Sequence, residues 1–272
     1  MSSHTLQRLV RRGSEVARCA VSLFLLAGGV ATAGEADHYV SLGLAAVATD
    51  DTRFADVDCL GTDVAAYFGC SDGPDGRPIG AYGDVSGVAV RLAVGRRLHE
   101  WLRGEIELGY LPNASFEGLS NFSGVAIGTA PVAMTVDSAT LMATAHVEIL
   151  PMLGHDAGRL QPFVSAGLGV SHNRVGEGVY GFPTLGEGAE TIVPPGTRTG
   201  LAWSLGAGVS VEASERVTID ISYRFVDRGE VGSDAGPIRI VRPGKDDFVI
   251  PVGATWADFG THEFGISLRQ RF

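Results

Sequence analysis

Residues 200–225 read GLAWSLGAGVSVEASERVTIDISYRF. Every second residue from Leu201 to Val211 is apolar, and the residues between them are Ala, Ser and Gly. A similar alternation runs from Val217 to Phe225, after the short polar segment ASER. Successive side chains of a β-strand point to opposite faces, so this period of two indicates two strands with one apolar face each. The short ASER segment predicts a tight hairpin between them.

The same pattern recurs along the chain and predicts eight strands. The strand-like segments are HYVSLGLAAV (38–47), SGVAVRLAVGR (86–96), LRGEIELGYL (102–111), SATLMATAHVEI (138–149), LQPFVSAGLGVS (160–171), the two segments of the hairpin, and the closing segment THEFGISLRQRF (261–272). Each is about ten residues long, which suits a tilted strand that crosses a membrane.

The connections between these segments alternate between long and short. The long ones run to about residue 83 and over about 112–136, 173–198 and 227–254. This rhythm is typical of an antiparallel up-and-down barrel with its long loops at one end. Parts of the last two stretches could instead pair as extra strands, which would give a ten-stranded barrel.

Parity alone does not say which face of each strand lies inside. A soluble lipocalin-like barrel would turn its apolar face inward. The other face, however, consists mainly of Gly, Ala, Ser and Thr with isolated charges of both signs, which suits the crowded interior of a narrow eight-stranded barrel. The apolar face also carries aromatic residues such as Trp203, Tyr110 and Tyr223, which fit the girdles at a membrane surface. The pattern therefore favours a barrel with lipid outside.

The first 33 residues have the composition of an export signal. Four arginines precede the apolar run CAVSLFLLAGGV, and the small residues ATA at 31–33 suit a cleavage site. We therefore predict a cleaved signal peptide over 1–33 and a single barrel domain over 34–272. The chain has a formal net charge of −10, and the predicted signal carries four Arg and one Glu, which leaves −13 for the rest. So acidic a domain excludes nucleic acid as the expected partner.

Two cysteines remain after the predicted signal, Cys59 and Cys70, in a polar stretch rich in Gly and Asp. In an exported protein a disulfide is the expected state of such a pair. A metal or redox site would need further ligands, and neither a third cysteine nor a histidine lies nearby.

The segments PFVSAGLGVS and LAWSLGAGVSVEASERVTIDISYRFVDRG and the closing amphipathic strand resemble the small outer-membrane β-barrel family. That family includes opacity-type surface proteins, OmpA-like barrels and porin-family proteins. The resemblance implies an all-β fold: an eight-stranded antiparallel up-and-down transmembrane barrel with four long extracellular loops. It also implies the outer membrane of a Gram-negative bacterium, with membrane lipid, lipopolysaccharide and the barrel-assembly machinery as partners.

In this family the last strand carries the signal that the assembly machinery reads. The resemblance assigns that role here to Phe264, Ile266, Leu268 and Phe272. Family members serve as adhesins, surface antigens, narrow pores or structural proteins. We expect a structural or surface-interaction role without catalysis or cofactor, in which the loops contact a host or cell-surface ligand. The alternatives are a narrow porin for ions or small solutes and, more remotely, a lipid-modifying enzyme.

The inward face of the predicted strands carries a set of ionisable residues that would share the lumen. They are Arg91, Glu105, Glu107, His146, Glu148, Asp220, Arg224, Glu263 and Arg269. Buried charges are tolerated when they pair, so a salt-bridged plug is the expected arrangement. A gated ion path or a catalytic cluster are the alternatives.

Two further residue pairs could carry chemistry. Ser171 and His172 are the nearest match to a lipid-modifying Ser/His pair, but adjacent residues of a strand point to opposite faces. His146 and Glu148 share a face and could bind a metal, although two ligands without a third are weak evidence. We therefore predict neither a catalytic nor a metal site.

Overall fold

The computed structural model describes residues 38–49, 51–122, 130–155 and 158–272, so the predicted signal peptide lies outside the described residues. Thirteen strands account for most of this part of the chain. They are β1 His38–Ala48, β2 Thr52–Asp56, β3 Ala81–His99, β4 Leu102–Ser120, β5 Pro131–Glu148, β6 Leu160–Val175, β7 Gly178–Gly181, β8 Glu190–Val193, β9 Gly196–Glu212, β10 Val217–Val231, β11 Gly236–Val241, β12 Phe248–Val252 and β13 Thr255–Arg271.

Eight of these strands close into a ring in which every neighbouring pair is antiparallel. The order is β1, β3, β4, β5, β6, β9, β10 and β13, and β13 pairs again with β1. The eight strands are those that the alternating segments predict. The extra strands that we considered for a ten-stranded barrel do form, but they pair above the ring and are not inserted into it.

Short connections gather at one end of the ring, which we call the lower end. Glu100 and Trp101 join β3 to β4, and residues 213–216 form the predicted ASER turn between β9 and β10. A one-turn helix, α1 (Ile149–Met152), begins the connection from β5 to β6. Among the described residues, no helix is long and apolar enough to cross a membrane.

The long connections gather at the opposite, upper end. We number them in chain order as the first (49–80), second (121–130), third (176–195) and fourth (232–254) connections. Strand β2 lies in the first connection, β7 and β8 lie in the third, and β11 and β12 lie in the fourth.

The outer surface of the ring is a broad apolar belt. Outward-facing side chains such as Leu108, Leu168, Leu201 and Phe264 are 51%, 64%, 74% and 64% exposed. A soluble protein seldom exposes so many large apolar side chains over one continuous surface. The inward positions in the same part of the ring hold Gly, Ser, Thr and charged residues. The ring is therefore polar inside and apolar outside, as the strand parity indicates.

Several strands continue beyond the stretches that the sequence pattern predicts, and the loop boundaries at the upper end are therefore wrong. Strand β4 reaches Ser120 and β5 begins at Pro131, where a loop over 112–136 is predicted. A bulge at Pro112 and Asn113 interrupts the alternation of β4 and turns Ala114 and Phe116 inward. This reversal of parity hides the strand from a period-two search.

The upper part of the ring consequently has an apolar interior. Leu111, Phe116, Val136, Val175 and Phe259 all lie at 2% exposure or less in one buried cluster. Phe54 from β2 packs edge-on against Phe116, with ring centroids 5.0 Å apart. The interior thus changes from polar near the lower end to apolar near the upper end.

Above the ring, the wall continues as a second, smaller sheet. Strand β7 pairs with the upper end of β5, followed in order by β8, β11 and β12. We call β7, β8, β11 and β12 the upper sheet. Its inner face contributes Tyr180, Val193, Ile238 and Ile240 to the same apolar cluster.

Candidate functional site

The lower part of the lumen holds a charge cluster centred on Arg103. This guanidinium lies 2.9 Å from Glu105, 3.6 Å from Asp220 and 3.7 Å from Glu148. Arg269 lies 3.2 Å from Asp220 and 4.0 Å from Glu148. The side chains of all five residues are at most 6% exposed, so burial and pairing occur together.

Tyr39 and His146 complete this cluster at Glu105. The Tyr39 hydroxyl donates to Glu105 Oε1 at 2.8 Å, and His146 Nε2 lies 3.3 Å from Glu105 Oε2. Three strands, β1, β4 and β5, are thereby tied together at one carboxylate.

A second charge cluster lies above the first and is centred on Arg224. Its guanidinium donates to Glu107 at 2.6 Å and to Glu263 at 2.8 Å. Glu263 also accepts from Arg228, and Arg228 donates in addition to Ser138 Oγ at 3.0 Å. Four strands, β4, β5, β10 and β13, therefore meet across the lumen.

The structure places all nine predicted lumen residues inside the ring, and it adds others. Within the described ring the buried set contains five arginines and five carboxylates, so its formal charge is balanced. The members are Arg91, Arg103, Arg224, Arg228 and Arg269 with Glu105, Glu107, Glu148, Asp220 and Glu263. Arg103, Arg228 and Tyr39 are absent from the predicted set. Arg103 shares the parity of Glu105 and Glu107, so the alternation could have found it, whereas Arg228 lies beyond the predicted end of β10.

Arg91 differs from the other arginines because it forms no ion pair with a described residue, although it is only 9% exposed. It borders a cavity of about 30 Å³ between the two clusters, together with Arg103, Glu107 and His146. A space of this size holds a few water molecules at most. The charged part of the lumen is therefore filled by side chains, apart from this pocket.

The apolar layer lies above both charge clusters. It is capped by aromatic rings from three connections: Tyr67, Phe68, Phe122 and Tyr180. Tyr67 contacts Phe68, Phe122 and Tyr180 with centroid distances of 4.9, 5.3 and 5.0 Å. Burial raises the pKa of the Tyr67 and Tyr180 hydroxyls, so both stay neutral at physiological pH.

The first connection is a folded unit. A disulfide joins Cys59 to Cys70, as the sequence predicts, with Cα atoms 4.9 Å apart. The buried carboxylate of Asp56 accepts hydrogen bonds from the backbone N–H groups of Tyr67, Phe68 and Gly69 at 2.9, 2.8 and 2.7 Å. The disulfide and the carboxylate therefore fix the two ends of the same loop.

Two partly exposed carboxylates, Asp58 and Asp75, organise turns within this connection. Asp58 accepts from the backbone and hydroxyl of Thr62, and these bonds lower its pKa. Asp75 accepts from the Asn121 side chain, which is the largest cause of its lowered pKa. Asn121 also binds the backbone of Gly80 and Pro78, so it attaches the first connection to the end of β4.

The structure places Ser171 and His172, one of the pairs considered for chemistry, on opposite faces of β6. Ser171 points inward and donates to the backbone oxygen of Arg228 at 2.6 Å, whereas His172 points outward and lies 2.8 Å from Thr199 Oγ1. Glu148 lies among arginines. In the described part of the chain, no group of three His, Cys, Asp or Glu side chains is placed to hold a metal ion.

A sequence model described as the outer membrane protein β-barrel domain matches residues 19–272. The chain belongs to this outer-membrane β-barrel family. The apolar belt of the ring accordingly faces the lipid of the outer membrane of a Gram-negative bacterium. A search of curated protein sequences gave no match.

Several solved structures of outer-membrane barrels are similar to this chain. OprG from Pseudomonas aeruginosa is 14% identical, with 86% of this chain and 96% of OprG covered and a TM-score of 0.45. Neisserial surface protein A is 14% identical, with 86% and 97% covered and a TM-score of 0.42. Ail of Yersinia pestis, solved with the heparin analogue sucrose octasulfate, is 11% identical, with 86% and 99% covered and a TM-score of 0.35.

Proposed function

We propose that this family member is a surface-interaction protein that neither conducts solutes nor catalyses a reaction. The ring is the eight-stranded transmembrane barrel, and the four long connections are extracellular. The observation that carries this proposal is the folded upper end, where the connections share one apolar core with the strands below them. A rigid, folded outer surface is what a protein needs to present a defined face to a partner.

The closed lumen supports the same conclusion. Two barriers lie in series between the two ends: the paired charges around Arg103 and Arg224, and the apolar layer capped by Tyr67 and Tyr180. An ion would have to break buried ion pairs at the first barrier and lose its hydration at the second. Both steps are unfavourable, so a porin role is the weaker candidate.

The long connections also indicate which ligands to test first. Together they contain thirteen acidic and five basic residues. Such a surface repels polyanions, so the heparin analogue seen with Ail is not the ligand class proposed here. We propose a neutral or basic ligand on a host or neighbouring cell.

Two measurements test the proposal. Purified protein in planar bilayers should give no discrete conductance steps. Bacteria that display the intact chain should bind target cells or a cell-surface extract, and a chain in which residues 57–80 are replaced by a short Gly/Ser linker should bind less while its barrel still folds. Steady conductance, or cell binding that is unaffected by any loop replacement, would overturn the proposal.

We also propose that the outward face of β13 directs assembly into the membrane. Phe264, Ile266, Leu268 and Phe272 all project from the ring, with exposures of 64%, 53%, 38% and 44%. The backbone N–H of Phe272 donates to the carbonyl of His38 at 3.1 Å, which places it where β13 and β1 close the ring. Phe272→Ala should lower the amount of heat-modifiable protein in outer membranes. Gln270→Ala, which alters the residue two positions earlier on the same face of β13, should not.

A further inference from the structure

Strand β12 forms the free edge of the upper sheet. In the described part of the chain it pairs with β11 on one side and with no strand on the other. Its first four residues are exposed, and among them Phe248, Val249 and Ile250 are 49%, 59% and 40% exposed. An exposed apolar edge is a template for adding another strand.

The register shows which backbone groups point away from the sheet. Pro237 of β11 lies directly opposite Pro251 of β12. Neither proline has an N–H group, so these two residues cannot form a hydrogen-bonded pair. Because hydrogen-bonded and non-hydrogen-bonded pairs alternate along antiparallel strands, the neighbouring residues Ile238 and Ile250 form a hydrogen-bonded pair. Because alternate residues point to opposite edges, the N–H and C=O of Val249 and the C=O of Pro251 point outward.

The first connection already covers one end of this edge. The N–H of Gly253 donates to the carbonyl of Ala65 at 2.9 Å, and the N–H of Val57 donates to the carbonyl of Ala254 at 2.9 Å. The disulfide-bonded loop therefore lies beside the end of β12 and leaves Val249 and Pro251 uncovered. It adds exposed apolar side chains of its own: Val57 at 63%, Leu60 at 79% and Val64 at 37%. We call Val57, Leu60, Val64, Phe248, Val249 and Ile250 the edge patch.

At the edge patch, the apolar side chains on the inner face of the upper sheet are only partly covered. Phe248 and Ile250 point to the same face as their cross-strand neighbours Ile240 and Ile238, which are 9% and 2% exposed. The apolar layer thus stops at β12 with two half-exposed side chains. One further strand along β12 would bury them and use the outward groups of Val249.

Charge selects the kind of strand that would fit. The first connection contains seven Asp and two Arg, and Asp246 and Asp247 precede the edge. In the fourth connection, the positive charges of Lys245 and two arginines equal the negative charges of its acidic residues. One of these arginines, Arg239, lies 3.3 Å from Asp247. The excess of negative charge therefore lies on the loop side of the patch, where a basic segment would be attracted and an acidic one repelled.

We propose that β12 and the first connection bind an extended polypeptide segment in which apolar and basic residues alternate. The segment adds to the upper sheet as a strand along β12, with its apolar side chains over Phe248 and Ile250. This deepens the proposed function, because it rests on that function and names the partner chemistry and the site.

A second copy of the chain fits this edge less well. Two β12 strands paired about Val249 would set Asp247 of each copy against Pro251 of the other, so each flank would lack one N–H donor. The same arrangement would also bring two acidic first connections near each other, and like charges repel.

The experiment uses the full barrel in lipid nanodiscs and a synthetic heptapeptide of alternating Val and Lys as the probe. Binding is measured by titration calorimetry, and protection of the Val249 amide is measured by hydrogen exchange. The Val/Glu heptapeptide and an N-methylated Val/Lys heptapeptide are the matched controls. We expect binding and Val249 protection with the Val/Lys peptide alone, weakened by added salt.

Two variants locate the site. Val249→Pro removes an outward N–H and leaves the pairing with β11 intact, so it should weaken binding about tenfold. Leu60→Ser, which cannot disturb the sheet, should weaken binding severalfold. Leu185→Ser alters a side chain of similar exposure outside the patch (56%) and should have no effect.

Equal binding of the Val/Glu peptide, or binding that survives both Val249→Pro and Leu60→Ser, would overturn the inference. Self-association of the peptide-free barrel that Val249→Pro abolishes would also overturn it and assign the edge to a second copy. If replacement of residues 57–80 abolishes cell binding while Val249→Pro and Leu60→Ser leave it intact, the proposed function stands and this inference fails.

Discussion

The guanidinium of Arg224 on β10 and the carboxylate of Glu107 on β4 lie 2.6 Å apart, although 117 positions separate them in the chain. In the ring, three strands lie between β4 and β10 in either direction. The two strands are therefore opposite each other, and this pair spans the full width of the lumen. One salt bridge thus crosses the polar lumen and ties together opposite walls of the ring.

Removal of one member of this pair should destabilise the barrel strongly. Glu107→Gln leaves Arg224 with Glu263 alone and one surplus buried positive charge, which should lower the free energy of unfolding by about 3 kcal/mol. The double variant Glu107→Gln/Arg224→Met removes both charges. Its loss of unfolding free energy should be smaller than the sum of the two single losses, by about 1–3 kcal/mol. Urea unfolding in detergent micelles, followed by the mobility shift on cold gels, measures these values.

Glu117→Gln is the matched control for this cycle. Glu117 lies on the same strand as Glu107 but is exposed, so its neutralisation should change the unfolding midpoint little. Additive single effects at Glu107 and Arg224 would show that the two residues do not interact in the folded barrel.

The strand alternation suffices to predict the eight strands of the ring and their parity, because a period of two survives wherever one face meets lipid and the other meets side chains. It does not predict which charges pair, since Arg224 and Glu107 meet only after the ring closes. Arg228 falls outside the predicted strand, although continuing the parity of Asp220 and Arg224 leads to it.

The upper sheet is harder to predict for a different reason. Strands β7 and β8 have four residues each, and β11 and β12 have six and five. Glycines and prolines surround them, so a pattern search finds loops there. The upper half of β4 is hidden because Pro112 and Asn113 reverse its parity.

The bulge on β4 leads to a prediction about Asn113. This residue has a φ of 45°, a left-handed conformation that Asn and Gly adopt more readily than other residues. Asn113→Val should lower the free energy of unfolding by about 1–2 kcal/mol, whereas Asn113→Gly should change it little. The hydrogen bond from the Asn113 backbone to Asp137, 2.9 Å long, survives both changes. Urea midpoints that are the same for Val and Gly would show that the backbone conformation does not matter there.

The first connection should loosen in acid. Hydrogen bonds from Thr62 lower the pKa of Asp58, and a bond from Asn121 lowers that of Asp75. A carboxylate whose folded pKa is depressed adds stability above its ordinary pKa, about 3.9, and that stability is lost as pH falls through the folded value. Carboxyl NMR titration in nanodiscs should therefore give midpoints below about 3.9 for both residues.

Thr62→Val and Thr62→Ser separate the cause of the Asp58 shift. Thr62→Val removes the hydroxyl donor and should raise the Asp58 midpoint, whereas Thr62→Ser keeps a hydroxyl and should leave it nearly unchanged. The Asp75 midpoint should respond to neither. An Asp58 midpoint that is insensitive to Thr62→Val would place the cause elsewhere.

The disulfide should stabilise the first connection without being needed for the ring. Cys59 and Cys70 are 11 positions apart, and closing a loop of that length contributes about 2–3 kcal/mol in the chain-entropy model. Cys59→Ala/Cys70→Ala should therefore increase protease cleavage within residues 57–80 on intact cells, while the barrel keeps its heat-modifiable mobility. Asp56→Ala, which removes the acceptor for three backbone N–H groups of the same loop, should increase cleavage further when it is combined with the cysteine pair. A barrel that fails to assemble without the disulfide, in the presence of an otherwise normal envelope, would show that the ring needs the disulfide-bonded first connection in order to form.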